Sequence, residues 1–364
     1  GSGQGNWLMN FGQSSFAYTP PSGFNAVSTA NLTAPAITDP SAQFQTQLYA
    51  GNGTAIGSGG KAVTFTGNSS MQPDFVWIKN RDATDSHAVY DSGRGVTKQI
   101  EPDLAVAETT ESEGLTAFGS DGFTVGNLAQ VNTSSEDFVS WNCKEGATPG
   151  FDIVTWTGNA TNRTISHSLG VVPNMMIVKG TSARDWMVYH SGIASDAETD
   201  YLRLDTSASA ADESTIWNDT APTSSVFTVG TGNGVNANTE GYVGYIFANV
   251  EGFSKFGGYT GNGGADGPVV YCGFRPSFVT IKNASSVGNW NMYDVKRNTY
   301  NPANLFLYAD AESVAGTSAH DIDILSNGFK PINTSSNTNG SGNILVFMAW
   351  AENPFGGDGV APAT

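Results

Sequence analysis

Two cysteines in 364 residues, Cys143 and Cys272, cannot staple a chain of this size, so the sequence excludes a disulfide scaffold and predicts two unpaired, mostly buried thiols. Histidine is nearly as scarce: His87, His167, His190 and His320 show no HxH or HExxH spacing, which leaves a histidine-held metal without support. Charge is sparse and unbalanced, with 16 Lys and Arg against 33 Asp and Glu giving a net charge of −17. Phosphate backbones are bound through clustered cations, so nucleic acid is set aside as a partner. No apolar run approaches the roughly 18 residues of a membrane-spanning helix, and no basic segment leading into an apolar one opens the chain, so membrane insertion is not expected. A GxSxG elbow is absent. The glycine-rich stretches at 51–60, 230–234 and 261–267 lack the lysine and the strand-to-helix setting of a phosphate loop, read as turns, and give no cofactor site.

What the chain has instead is repetition. PDFVWIK at 73, PNMMIVK at 173 and PSFVTIK at 276 each run from a proline through an apolar stretch to a lysine, at offsets of 100 and 103 residues. Upstream of each lies an aromatic followed by Gly-Asn: Tyr49 with Gly51-Asn52, Trp156 with Gly158-Asn159, Tyr259 with Gly261-Asn262. Downstream, His87, Trp186 and Trp290 each precede a tyrosine by three residues, at Tyr90, Tyr189 and Tyr293, and the next residue is Asp91, His190 or Asp294. A period this long indicates tandem domains, not a thin solenoid. We read three copies of one module, at 47–146, 150–250 and 253–353, each about 100 residues and natural for one domain.

Glycine, serine, threonine and asparagine crowd the segments between apolar runs, and strand signals recur about every 10 residues. The expected class is therefore all-β, with three tandem β-sandwich, jelly-roll-like modules. Both parities of Phe75-Val76-Trp77-Ile78 are apolar, which suits a strand buried on both faces. Asp103–Glu113 and Pro302–Ala311 are expected to hold at most a turn or two of helix. Residues 1–46 do not fit the repeat and read as the last strands of an earlier domain plus a linker, and 354–364 reads as a linker or tail, so the natural chain is expected to continue beyond both ends.

Lys79, Lys179 and Lys282 read either as a receptor-facing basic row or as strand ends pairing locally with a carboxylate or carbonyl. Asp91 with Arg94 and Asp294 with Arg297 read as ion pairs at turns, a pattern missing from the second module, which has His190 and Ile193. Asp196, Glu198 and Asp200 alternate as in some calcium loops but lack the EF-hand glycine and distal glutamate, and read as a solvated loop. A glycan-cleaving carboxylate pair is not singled out among 33 acids. The candidate ligand-binding residues are Trp217, Asn218 and Asp219. Trp217 has no counterpart in the other repeats and sits among small and polar neighbours, so it is placed on a loop, either stacking on a sugar ring or packing inward.

NFGQ…FAYTPPSGFNAVSTANL, PDFVWIKNRDATDSHAVYDSGRG and ISHSLGVVPNMMIVK together resemble tail-fibre-like proteins of tailed bacteriophages, especially marine ones, in which a SPRY-like domain ending in such an NFGQ segment precedes an array of these repeats. The resemblance covers nearly the whole chain and implies a non-enzymatic virion structural protein, working outside the cell, that recognises a host-surface glycan or protein and contacts other virion proteins. It also implies a homo-oligomer, trimers being common in such appendages. The alternatives carried with it are a tail polysaccharide depolymerase and a capsid decoration protein.

Overall fold

The computed structural model describes residues 35–353 together with Tyr18 and Pro21, so the upstream fragment expected within 1–46 and the tail 354–364 lie largely outside the described residues. The chain is all-β, and its α-helices among the described residues are four single turns, Ala129–Asn132, Ser214–Trp217, Asn233–Asn236 and Ser336–Asn339. No helix there is long and apolar enough to cross a membrane. Neither stretch expected to hold a helical turn does so; Pro302–Ala311 contains the strand Ala303–Tyr308, whose apolar residues pair with a neighbouring strand.

Each repeat builds an inner antiparallel sheet in one strand order. In the first it runs Phe44–Ala50, Asp137–Cys143, Phe75–Asn80, Ala88–Asp91; in the second Phe151–Thr157, Gly241–Phe247, Met175–Gly180, Met187–His190; in the third Ser254–Thr260, Ile344–Asn353, Arg275–Asn283, Asn291–Asp294. The strands that follow Pro73 and Pro173, and the one that contains Pro276, thus hold the same sheet position. Their register repeats too: Phe75 opposes Cys143, Met175 opposes Phe247 and Phe278 opposes Trp350. A smaller outer layer faces each inner sheet, for example Lys61–Thr64 with Gly122–Val125 in the first repeat.

The apolar runs on both parities have a common cause. Successive side chains of a strand point to opposite faces. Val76 and Ile78 enter the core of the first sandwich, while Phe75 and Trp77 enter a second core shared with Met175 and Ile177 of the second repeat and Phe278 of the third. Met176 and Val178, and Val279 and Ile281, go to the private cores of their own repeats. Three sandwiches therefore surround one shared core, and the inner face of each sheet is buried only because the other two repeats cover it. Cys143 lies in the shared core and Cys272 in the third repeat's own, both unpaired as expected.

The Gly-Asn signature marks where each first strand meets the helical turn near the end of its repeat. Tyr49 Oη, Trp156 Nε1 and Tyr259 Oη donate to the carbonyls of Val131, Val235 and Thr338. The glycine must then lie against backbone: a Cβ on Gly51, Gly158 or Gly261 would fall 1.9, 2.0 or 2.3 Å from a carbonyl oxygen. Asn132, Asn236 and Asn339, wholly buried, complete the joint by accepting the backbone N–H of Asn52, Asn159 and Asn262.

Candidate functional site

One set of the residues that recur across the repeats fastens the repeats to one another. Trp186 Nε1 donates to Glu101 O of the first repeat at 2.9 Å, and Trp290 Nε1 to Arg203 O of the second at 2.8 Å. At the same position His87 uses its ring. Trp77 Nε1, a donor only, occupies His87 Nδ1 at 2.8 Å, so Nε2 carries the hydrogen and donates to Tyr308 O of the third repeat at 2.9 Å. The three acceptors each stand two residues before an aspartate: Asp103, Asp205 and Asp310. The bonds run from second to first, third to second and first to third, closing a ring. Burial pulls the His87 pKa down to about 3, so the ring is neutral.

Asp91 and Asp294 belong to the same system. Each holds its arginine in a buried ion pair, at 2.6 Å for Arg94 and 2.5 Å for Arg297, and each also accepts a bond from another repeat, Tyr245 Oη to Asp91 at 2.7 Å and Trp141 Nε1 to Asp294 at 3.2 Å. These are turn ion pairs as expected, but buried ones, where loss of one partner strands a charge. In the second repeat His190 Nδ1 accepts from Gly192 N, leaving Nε2 to donate to Phe347 O of the third repeat at 3.0 Å.

The three lysines form no surface row. Lys79, Lys179 and Lys282 are wholly buried, and their ammonium groups are caged by carbonyls: those of Asn80, Ala83 and Asp85 for Lys79, Ser182 and Arg184 for Lys179, and Ser207 and Gly288 for Lys282. Desolvation pulls each pKa down to about 8. It pushes the nearby Asp103 and Asp205 carboxyls up to about 7 and about 6. Shifted groups of this kind attract attention as catalytic candidates. Here one arrangement recurs in three repeats, out of solvent and satisfied by backbone, which is what folding requires of a repeated unit.

Trp217 is placed where the loop reading did not put it. Ser214–Trp217 is a helical turn, and its Ile216 O and Thr215 O accept the N–H groups of Gly230 and Gly232 at 2.7 Å each, so the turn lies flat on a segment with no side chains in the way. This tucks Ile216 and Trp217 into the second repeat's core, with Trp217 1% exposed and edge-on to Tyr189 at 6.2 Å between ring centroids. Stacking on a sugar is corrected to inward packing. Asn218 and Asp219 follow in left-handed backbone, at φ 54° and 44°, with Asn218 Oδ1 accepting from Asn162 and Asp219 exposed. The polar neighbours that suggested a loop are the outer side of the turn.

One carboxylate pair not legible in the sequence lies at the junction of the first two repeats. Glu145 lies beside Asp152, and burial together with that neighbouring carboxylate pushes Glu145 up to about 7. Among the described residues no group of three or more His, Cys, Asp or Glu is arranged to hold a metal ion. A void of about 30 Å³ sits in the shared core, lined by aromatic and aliphatic side chains such as Trp77, Ile177 and Met348, a setting that stays dry. A larger groove of about 240 Å³ lies between the first and third repeats.

A family model matches residues 39–354, and the chain belongs to that family, described as domain of unknown function (DUF7483). The matched span takes in all three repeats as one unit, in agreement with a shared core that none of them completes alone. No curated protein matches the chain.

Proposed function

We propose that the chain is a non-enzymatic, tail-fibre-like structural protein of a phage virion that holds loops against a host-surface glycan or protein. The observation that carries this reading is the internal use of the repeated chemistry. The recurring indole N–H groups and the aspartates of the recurring ion pairs join repeats, and the recurring lysines are closed off by backbone carbonyls, so the repeated chemistry serves the scaffold and what differs between repeats and faces solvent lies in connecting segments, as at Ser195 and Asp196, Asp219 to Ala221, and Ser285 and Val287. A rigid scaffold bearing divergent loops is the arrangement of an adhesin. The resemblance of the PDFVWIKNRD and YDSGRG runs to phage tail-fibre-like proteins supplies the context: a virion location, other virion proteins as neighbours, and an oligomer, with a trimer as the usual form.

Purified protein incubated with host envelope polysaccharide should bind it and whole cells without releasing reducing ends, and immunogold labelling should mark the tail. Labelling confined to the capsid would favour a decoration protein. The depolymerase reading gains one specific support, the Glu145–Asp152 pair with its raised Glu145. Turnover that disappears in Glu145→Gln while cell binding persists would replace adhesion by cleavage as the function.

A further inference from the structure

Three seams join the repeats, and one is built differently. The turn after each hairpin strand carries Gly93, Gly192 or Lys296, two residues beyond Asp91, His190 and Asp294. Both glycines lie flat on the first strand of the following repeat: a Cβ on Gly93 would be 2.8 Å from Ile153 Cγ2, and one on Gly192 2.7 Å from Gly258 N. A lysine cannot take that position. At the seam between the third and first repeats the turn stands off instead, and the groove of about 240 Å³ opens between Val295-Lys296 and the strand Phe44–Ala50.

The walls of this groove combine apolar Phe44, Val295 and Ala351 with a set of polar side chains. Thr46 lines it, in the strand register that Ile153 and Phe256 hold in the other repeats. Its hydroxyl has no hydrogen-bond partner among the described residues although the residue is 6% exposed. Gln45 lines it with its amide already held by Ser41 O, Ser69 O and Gly67 N, while Thr66 and Ser277, whose hydroxyls donate to Gln47 and to the Trp350 and Ala351 carbonyls, keep oxygens that accept, and the exposed Asn68 adds an amide. Lys296 is exposed and makes no ion pair among the described residues. The Glu352 carboxylate on the rim is held by Arg275 Nε at 2.6 Å, which offsets its charge.

We infer that this groove binds one residue of an acidic sugar, a uronic acid of a surface glycan, with Lys296 meeting the carboxylate and the hydroxyl and amide groups meeting the ring. The size suits a single sugar ring, below the usual range of pockets for larger ligands. Lys296, unpaired among the described residues, beside hydroxyl and amide groups and a Glu352 already held by Arg275, selects a polyhydroxylated ligand with one negative charge, and a charge-assisted bond gives that selection its strength. The inference rests on the adhesion reading above and names its ligand class.

The test is titration of the full chain with free glucuronate and galacturonate, with glucose as the neutral control, followed by saturation-transfer NMR. Both uronates should bind, glucose about tenfold more weakly or not at all, and added salt should weaken the uronates alone. Lys296→Gly restores the residue used at the other two seams, so it should fold as before and lose uronate binding about tenfold or more. Lys296→Gln, which keeps the side-chain length, should lose it similarly. Absence of uronate binding by the unaltered protein, equal binding of glucose, or unchanged binding in both variants would each overturn the assignment. Host-cell binding separates this from the broader reading: cells held equally by the unaltered protein and Lys296→Gly remove the groove but keep adhesion, while cells held by neither remove adhesion itself.

Discussion

Tyr245 of the second repeat donates its hydroxyl hydrogen to Asp91 of the first at 2.7 Å, and that carboxylate already carries the Arg94 guanidinium at 2.6 Å. A charged network thus spans the boundary between repeats and lies out of water. Tyr245→Phe removes a donor but leaves the ion pair intact, so it should cost about 1–3 kcal/mol in denaturant unfolding. Asp91→Ala strands Arg94 and should cost more, about 3–5 kcal/mol. Equal stability of Tyr245→Phe and the parent chain would show that the seam does not depend on this bond.

Trp217→Ala should destabilise the chain about as much as Trp186→Ala or Trp290→Ala, in the range of about 3–5 kcal/mol typical for a truncated buried tryptophan. Its Nε1 has no partner among the described residues, which trims its contribution but does not offset the loss of packing against Tyr189. Melting temperatures of the three variants decide the matter. A Trp217→Ala protein that melts like the parent would return the residue to the surface.

The strand content and the threefold repeat were legible because Phe75-Val76-Trp77-Ile78 and its counterparts are short, β-rich and apolar on both parities. The shared core was not, since a strand covered by its own outer layer and by two other repeats reads like any strand buried on both faces. Local pairing of Lys79 was anticipated, because a lysine ending a buried strand in every copy must satisfy its charge there. Trp217 was misplaced because the residues that seat it, Gly230 and Gly232, are distant glycines whose contribution is the absence of side chains. The groove at Lys296 had a visible trace, lysine where the aligned repeats have Gly93 and Gly192, but only the closed ring shows what that exchange opens.

Stability should pass through a minimum between about pH 7 and 8. Burial raises Asp103 to about 7 and Asp205 to about 6 from 3.8, and Glu145 to about 7 from 4.5, so the folded chain keeps protons that the unfolded chain releases. Their stabilisation is complete below about pH 4 and is lost as pH rises through 6 to 7. The lysines act in the opposite sense. Lys79, Lys179 and Lys282 are lowered to about 8 from 10.5, so stability is regained as pH climbs from about 8 towards 10.5. Melting temperature against pH is the measurement: Asp103→Asn should flatten the acid limb and Lys79→Met the alkaline one, and a monotonic profile would contradict both assignments.

The second repeat's departure from the Asp–Arg pattern has a partner in the third. Trp141, Tyr245 and Met348 hold one register position, opposite Trp77, Ile177 and Thr280. Trp141 and Tyr245 each offer a hydrogen-bond donor, and each faces an aspartate of the neighbouring repeat; Met348 offers none, and the facing residue is His190 with Ile193 in place of the arginine. An aspartate there would be a buried carboxylate with neither guanidinium nor donor, whereas a histidine held neutral by burial, its pKa near 4, reaches the Phe347 carbonyl instead. His190→Asp alone should therefore be among the most damaging single changes, at about 3 kcal/mol or more. Adding Ile193→Arg and Met348→Tyr rebuilds the first seam's arrangement and should recover most of that loss, so the triple variant should be more stable than His190→Asp by more than the two added changes contribute on their own. Strict additivity across that cycle would mean that the three positions do not act as one joint.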